Sequence, residues 1–332
     1  MGSTPKKLIV VFTATGDQGR SIVSQLASDG KYAVRALTRN PSSPAAQKLA
    51  SQGAEVVECS LDSDTDVRNA VKGAWAIFAN SDFFSTFTVE AEAAQGRRII
   101  DAASKEPGLE IFIQSCFPPV ADYTKGTCPG LLHYAAKNEI NRINREEYPA
   151  VWAKTTQVFV GYYYSNWIKF AVPFGPKKVA GPDGSAELVQ SIPYPGTTPL
   201  ASFDNDDMGL VIAAILDKPQ AFHTKIVAAT GGWISDNDKL ASVGKALNIK
   251  TRFTQISPEA YVSFLESTQA FPPHIVQDLS DQMKLIRDFG LAYMDPQGPY
   301  KVIAAKDILP AGRKLTTWDE WVRRADWSAI MG

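Results

Sequence analysis

The chain has 332 residues, 45% of them hydrophobic and 21% charged, enough for one large α/β domain or two modest ones. Lys and Arg number 34 and Asp and Glu 35, a formal net charge of -1, which argues against direct nucleic-acid binding, where a basic excess is the rule. Three cysteines, Cys59, Cys116 and Cys128, form too sparse and odd a set for a disulfide scaffold and point to a reducing compartment. The opening "MGSTPK" reads as a disordered tip, with no secretory signal and only a loose likeness to a myristoylation motif. The longest clean apolar run, "LVIAAIL" at 210–216, has the length of a core helix rather than a membrane span. The expected compartment is the cytosol, or the nucleus for a regulator.

The chain then alternates. "KLIVVFTA" (7–14) reads as a buried strand, and residues 18–30 as a helix stopped at Gly30. Strands follow at 32–39, 54–59, 74–80, 109–115 and 151–160. Helices are expected at 44–53, 64–73, 87–106 and 132–147. This rhythm predicts a doubly wound parallel sheet of the Rossmann type, with right-handed crossovers. Residues 172–200 are rich in Pro and Gly and break it; a long loop around a small hairpin turned by "PDGS" is expected there. Helices at 205–218, 236–248 and 257–268 complete a smaller C-terminal α+β region. The division is a cofactor-binding domain over 1–160 and a substrate or partner region over 161–332, interleaved with the sheet.

The first strand runs into "TATGDQG", where Thr13 stands in place of the first glycine of a dinucleotide turn and Gly16 and Gly19 are kept. The helix start after Gly16 presents free amides and a positive dipole end to a phosphate. Thr15 and Gln18 complete the candidate cradle. Thr13 is expected at φ < 0 with its hydroxyl toward a phosphate oxygen, and Asp17 is expected to face outward. Arg39 ends the second strand about twenty residues on, where an acid would hold the ribose of NAD and an arginine the 2′-phosphate of NADP(H). The spacing therefore favours NADP(H).

"VVFTATGDQGRSIVSQL", "VRALTRNP", "QGAEVVE" and "LHYAAKNEI" together resemble the NmrA-like family of atypical short-chain dehydrogenases, over nearly the whole chain. "TTQVFVGYYYSNW" and "LTTWDEWV" also resemble its NADPH-sensor branch. The resemblance implies a Rossmann fold and one of two functions. One is an NADP(H)-dependent oxidoreductase that reduces a carbonyl or conjugated double bond of a small organic substrate. The other is a non-catalytic NADP(H)-binding redox sensor that regulates a protein partner. The chain departs from the family's pattern at Thr13 and at Cys59-Ser60, where relatives often carry Gly-Asp; Ser60 and nearby Asp62 remain candidate adenine contacts.

The Tyr-x-x-x-Lys pair of short-chain dehydrogenases is absent as written. Lys137 has His133 at the tyrosine position, and Tyr134 is displaced by about 100° around the helix. His133 is a candidate proton donor. Lys137 is a candidate ribose ligand or, if desolvated, a general base as in isoflavone-reductase-like relatives. Ser115 after the fifth strand is a candidate carbonyl-orienting group, and Asn80 after the fourth a candidate nicotinamide-pocket residue. Tyr162, Tyr163, Tyr164 and Asn166 are candidate substrate residues, and an apolar pocket walled by them and the 172–200 loop is expected. His133, His223 and His274 are scattered without zinc-like spacing, and "DNDD" (204–207) reads as a helix start rather than a calcium loop.

Overall fold

Alternation along the first strand sets the architecture. The structure, a computed structural model, describes residues 5–181 and 184–332. In β1 (Leu8–Val11), Ile9 and Val11 face the side that carries Ile22, Val23 and Leu26 of α1 (Asp17–Asp29). Val10 and the following Phe12 face the other side, where they pack with Ile99 and Ile100 of a later helix. Both faces of the strand are apolar, so helices must cover both.

The other strands of the main sheet are β2 (Ala33–Thr38), β3 (Glu55–Glu58), β4 (Ala74–Ala79), β5 (Ile111–Cys116), β6 (Thr155–Val160), β7 (Ile226–Ala229) and β8 (Val302–Ala304). They form one parallel sheet in the order β3-β2-β1-β4-β5-β6-β7-β8. The order reverses between β1 and β4, the switch point at which doubly wound sheets bind ligands. α2 (Val89–Ser104) and α3 (Leu132–Glu147) cover one face. α1 and α4 (Met208–Asp217) cover the other.

Three features differ from the sequence expectation. β6 begins at Thr155 rather than at 151, because Pro149–Trp152 forms a helical turn. β7 and β8 come from the C-terminal half and extend the sheet; their short apolar runs carry no periodicity of their own. Residues 172–200 carry the expected hairpin, Lys177–Ala180 paired antiparallel with Ala186–Ile192, but its second strand also pairs with Lys250–Gln255, a partner that no local pattern indicates. Pro182 and Asp183 of the "PDGS" turn, and residues 1–4 of the N-terminal tip, lie outside the described residues. A second small sheet joins Tyr162–Tyr163, Pro199–Phe203 and Gly232–Ser235.

A further helix, α5 (Pro273–Phe289), packs across the mouth of the switch point. The sequence signal for it is legible in retrospect: Pro272-Pro273 at the entry, then Ile275, Val276, Leu279, Met283 and Ile286 at helical spacing. Close approach of α2 and α3 depends on Gly96, where a Cβ would meet Ile140 side-chain atoms at 2.4–2.7 Å. That contact fixes the register of the two helices. Glu92, one turn before Gly96, is thereby set beside Lys137, one turn before Ile140.

Candidate functional site

The glycine turn is intact but strained. Thr13 adopts φ 48, in the left-handed region, and not the negative φ expected from its side chain. The turn dictates this: the Thr13 carbonyl must swing round to accept the Gly16 amide at 2.9 Å. A β-branched residue there costs at least about 1–2 kcal/mol. The Thr13 hydroxyl is not free for a phosphate, because it donates to the Phe12 carbonyl at 2.8 Å. Asp17 lines the cleft, but its carboxylate is drawn onto Lys169 and Arg20, which offset its charge.

Gly19 does the packing work of the motif. A Cβ there would lie 2.4 Å from the Thr13 carbonyl oxygen and 2.6 Å from the Ala14 Cα, both backbone atoms. Gly19→Ala is expected to destabilise the protein by about 1–3 kcal/mol, the cost of overpacking a core that must shift backbone. A urea midpoint equal to that of wild type would show that the contact is tolerated.

The residues present suit a dinucleotide. The α1 N-terminus has no side-chain cap, so its first amides are open to an anion. Gln18 donates through Nε2 to the Tyr163 hydroxyl at 2.6 Å, while its buried Oε1 has no hydrogen-bond partner among the described residues. Arg39 sits at the cleft edge with its side chain 73% exposed, 3.7 Å from Asp82. So exposed a pair is weak and leaves the guanidinium available to a phosphate. Asp62 lines the cleft with Cys59 and Leu61, whereas Ser60 is not among the lining residues and its Oγ accepts from the Asp62 amide. Burial pushes the Cys59 and Cys116 thiols up to about 12, so neither supplies a thiolate near neutral pH.

Lys137 lines the cleft, and its Nζ is fully engaged. Its Nζ donates to Asn80 Oδ1 at 2.9 Å, Ser81 Oγ at 2.9 Å and the Ser81 carbonyl at 3.1 Å. It also pairs with Glu92 Oε1 at 2.9 Å, and Glu92 is 0% exposed. Ser81 Oγ donates to the same carboxylate at 2.7 Å. Every atom that Lys137 Nζ touches accepts a hydrogen bond, so the geometry places Lys137 as a donor and offers no proton acceptor of its own for the general-base role expected of a desolvated lysine. A ribose hydroxyl would be held there by exchange with one of these acceptors, of which Asn80, at the cleft side, is the least buried. Neither Ser81 nor Glu92 stood out in the sequence; a glutamate among the apolar positions of a helix was the available signal.

His133, one turn earlier on α3, is held by α5. Its Nδ1 lies 2.6 Å from Asp278 Oδ2 and 2.8 Å from Oδ1, and Asp278 is fully buried. The ring stands edge-on to Phe117 and Tyr134, with Phe83 and Phe84 on its remaining sides. Tyr134 cannot replace the missing catalytic tyrosine: its hydroxyl is hydrogen-bonded to that of Tyr293 at 2.9 Å, and burial raises its phenol above the ordinary range.

One cleft of about 840 Å³ joins these parts. It runs from the glycine turn past Asn80, Ser115, Lys137 and His133 into an apolar chamber. Tyr162, Tyr163 and Asn166 line it, but Tyr164 does not; it is buried against Trp318 and Trp321. Of the described residues in the 172–200 stretch, Pro173 and Phe174 alone reach the cleft. The far wall comes instead from Phe271 and from Ile275, Leu279, Gln282 and Ile286 of α5.

A parallel sheet wound on both faces, with a glycine turn and a deep cleft at its switch point, defines a Rossmann-type α/β protein. The chain belongs to the NmrA-like family, which it matches over residues 5–322. It is 32% identical over 265 residues to the NmrA-like family domain-containing oxidoreductase ptmS of Penicillium ochrochloron, covering 76% of this chain and 77% of that one. To the oxidoreductase lnaB of Aspergillus flavus, of the same family description, it is 28% identical, covering 96% of this chain and 98% of that one. Among solved structures, NmrA, a negative transcriptional regulator in complex with NADP, superposes with a TM-score of 0.73 at 23% identity, covering 97% and 95% of the two chains. The NADPH-dependent quinone oxidoreductase QOR2 of Escherichia coli, complexed with NADPH, gives 0.68 at 21% identity, covering 95% and 98%. Both likenesses establish the fold.

Proposed function

We propose that this protein is an NADP(H)-dependent oxidoreductase that reduces a carbonyl or conjugated double bond of a small, uncharged organic substrate. The observation that carries this reading is the continuity of the cleft: an open apolar chamber lies directly beyond Lys137 and His133. A sensor that binds only a dinucleotide has no use for it. Among the described residues the cleft is also lined by Asp17, Arg39, Asp62 and Asp82, while His133 and Lys137 each already face a buried carboxylate, which disfavours an anionic group beside them. The oxidoreductase names of the related chains support the same reading.

When bound, NADPH supplies the hydride. The α1 N-terminus and Gly16 would hold its pyrophosphate, Arg39 the 2′-phosphate, and Lys137 with Asn80 the nicotinamide ribose. His133 delivers a proton to the developing charge on the substrate, Ser115 orients the reacting group, and the aromatic walls exclude water.

The test is NADPH titration followed by oxidation assays against aldehydes, quinones and enones. Arg39→Ala is expected to weaken NADPH binding about tenfold or more and leave NADH binding unchanged, since a charge-assisted phosphate contact is worth about 1.5–3 kcal/mol. No binding at millimolar cofactor would end the reading. Tight binding with no substrate consumed would favour the regulatory alternative, the role of the structural neighbour NmrA, a negative transcriptional regulator.

A further inference from the structure

We propose that Asp278 is a positioning residue for proton transfer: from α5 it holds His133 with Nδ1–H on its carboxylate and Nε2 turned to the chamber. The proposal rests on the oxidoreductase reading for its role in turnover, but not for its geometry. Asp278 is 0% exposed and is engaged by two groups of His133, the ring Nδ1 and the backbone amide, which donates to Oδ1 at 3.2 Å. The ring therefore meets the carboxylate in one orientation, fixed at both ends. Nε2 has no hydrogen-bond partner among the described residues, while His133 lines the cleft. With Nδ1–H committed to a carboxylate, Nε2 is the nitrogen that exchanges a proton with a ligand.

The same contact caps α3, whose N-terminus has no side-chain cap of its own. Two more contacts clamp α5 to the entrance of α3: Gly130 N donates to Asp281 Oδ2 at 2.6 Å, and Lys284 Nζ donates to the Thr127 carbonyl at 2.6 Å. Ile275, Leu279, Gln282 and Ile286 on that helix wall the chamber, and Asp278 lies between them in the spacing. One helix thus both walls the substrate chamber and orients the proton donor. A substrate that packs against α5 presses the helix that aligns His133.

The step balances with the reductant already named. The substrate takes a hydride from the reduced nicotinamide and a proton from His133 Nε2. The Nε2–H bond breaks and an O–H or C–H bond forms on the substrate. The bonding pair stays on Nε2, the ring becomes neutral with Nδ1–H retained toward Asp278, and solvent restores the lost proton.

The groups facing His133 are Asp278 from α5, Lys137 from its own helix, and the uncharged rings of Phe83, Phe84, Phe117 and Tyr134. A structural cap and a positioning role are separated by a double-variant comparison on the full chain. Asp278→Asn is expected to lower kcat at least about tenfold, as loss of an orienting partner does, with NADPH affinity unchanged. In a His133→Asn background the same change is expected to have no further effect on kcat. Nitrogen-15 NMR of the histidine rings supplies a readout independent of turnover: His133 carries Nδ1–H in the wild type and loses that preference in Asp278→Asn. Losses that multiply in the double variant, or wild-type kcat in Asp278→Asn, would overturn the proposal. So would a wild-type His133 with bare Nδ1. If the wild type consumes no substrate, the oxidoreductase reading falls by itself, and the NMR result alone decides whether Asp278 sets the ring.

Discussion

Lys137→Met is expected to lower the unfolding midpoint by on the order of 10 °C and to weaken NADPH binding as well. The variant removes the cation from a cluster in which Glu92 is fully buried and Ser81, Asn80 and Glu92 all converge on one nitrogen. The remaining carboxylate keeps only the Ser81 hydroxyl, and its second oxygen already has no partner among the described residues. Leaving one member of a buried pair unpaired costs about 3–5 kcal/mol, far more than the pair contributes relative to an apolar replacement. A second variant isolates this cause. Lys137→Met/Glu92→Gln should recover most of the midpoint, because the orphaned charge is gone, yet NADPH affinity and turnover should stay low. Thermal unfolding of both variants, read with NADPH titration, checks the pair. A single variant that melts with the wild type would show that the cluster is solvated in solution.

His133→Asn is expected to lower turnover about 10²–10⁴-fold with NADPH affinity nearly unchanged, the usual cost of removing a general acid. Asparagine is chosen because its amide nitrogen lies close to where Nδ1 stands and can still donate to Asp278. The buried carboxylate therefore keeps a partner, and the midpoint should move little. What disappears is the Nε2 proton. The measurement is steady-state NADPH oxidation with the best substrate of the panel. Turnover within a few-fold of the wild type would assign proton delivery to water or to another group in the chamber. The two variants differ in kind: the lysine change should damage stability and cofactor binding, and the histidine change chemistry alone.

The sequence by itself determined the places of the first six strands along the chain, the helix faces and the place of the glycine turn. These depend on local alternation, on helix caps such as Ser43 and Ser63, and on short spacings, all of which act within a few residues. It also placed His133 and Lys137 on one side of a helix, because i,i+4 geometry is local. Only the tertiary structure decided the rest. Thr13 is held at φ 48 by a turn that must meet α1, against its own preference. Tyr164 turned into a tryptophan cluster built by the C-terminal helix Trp318–Arg324, and Tyr162 and Tyr163 to the cleft. β7 and β8 became strands because β6 and β7 offered them partners. Asp278 reached His133 across 145 residues of chain, and Glu92 met Lys137 through the glycine contact between α2 and α3. Propensity and periodicity carry information over one or two turns of chain. A buried charge pair is chosen by which surfaces pack together, and that choice belongs to the whole fold.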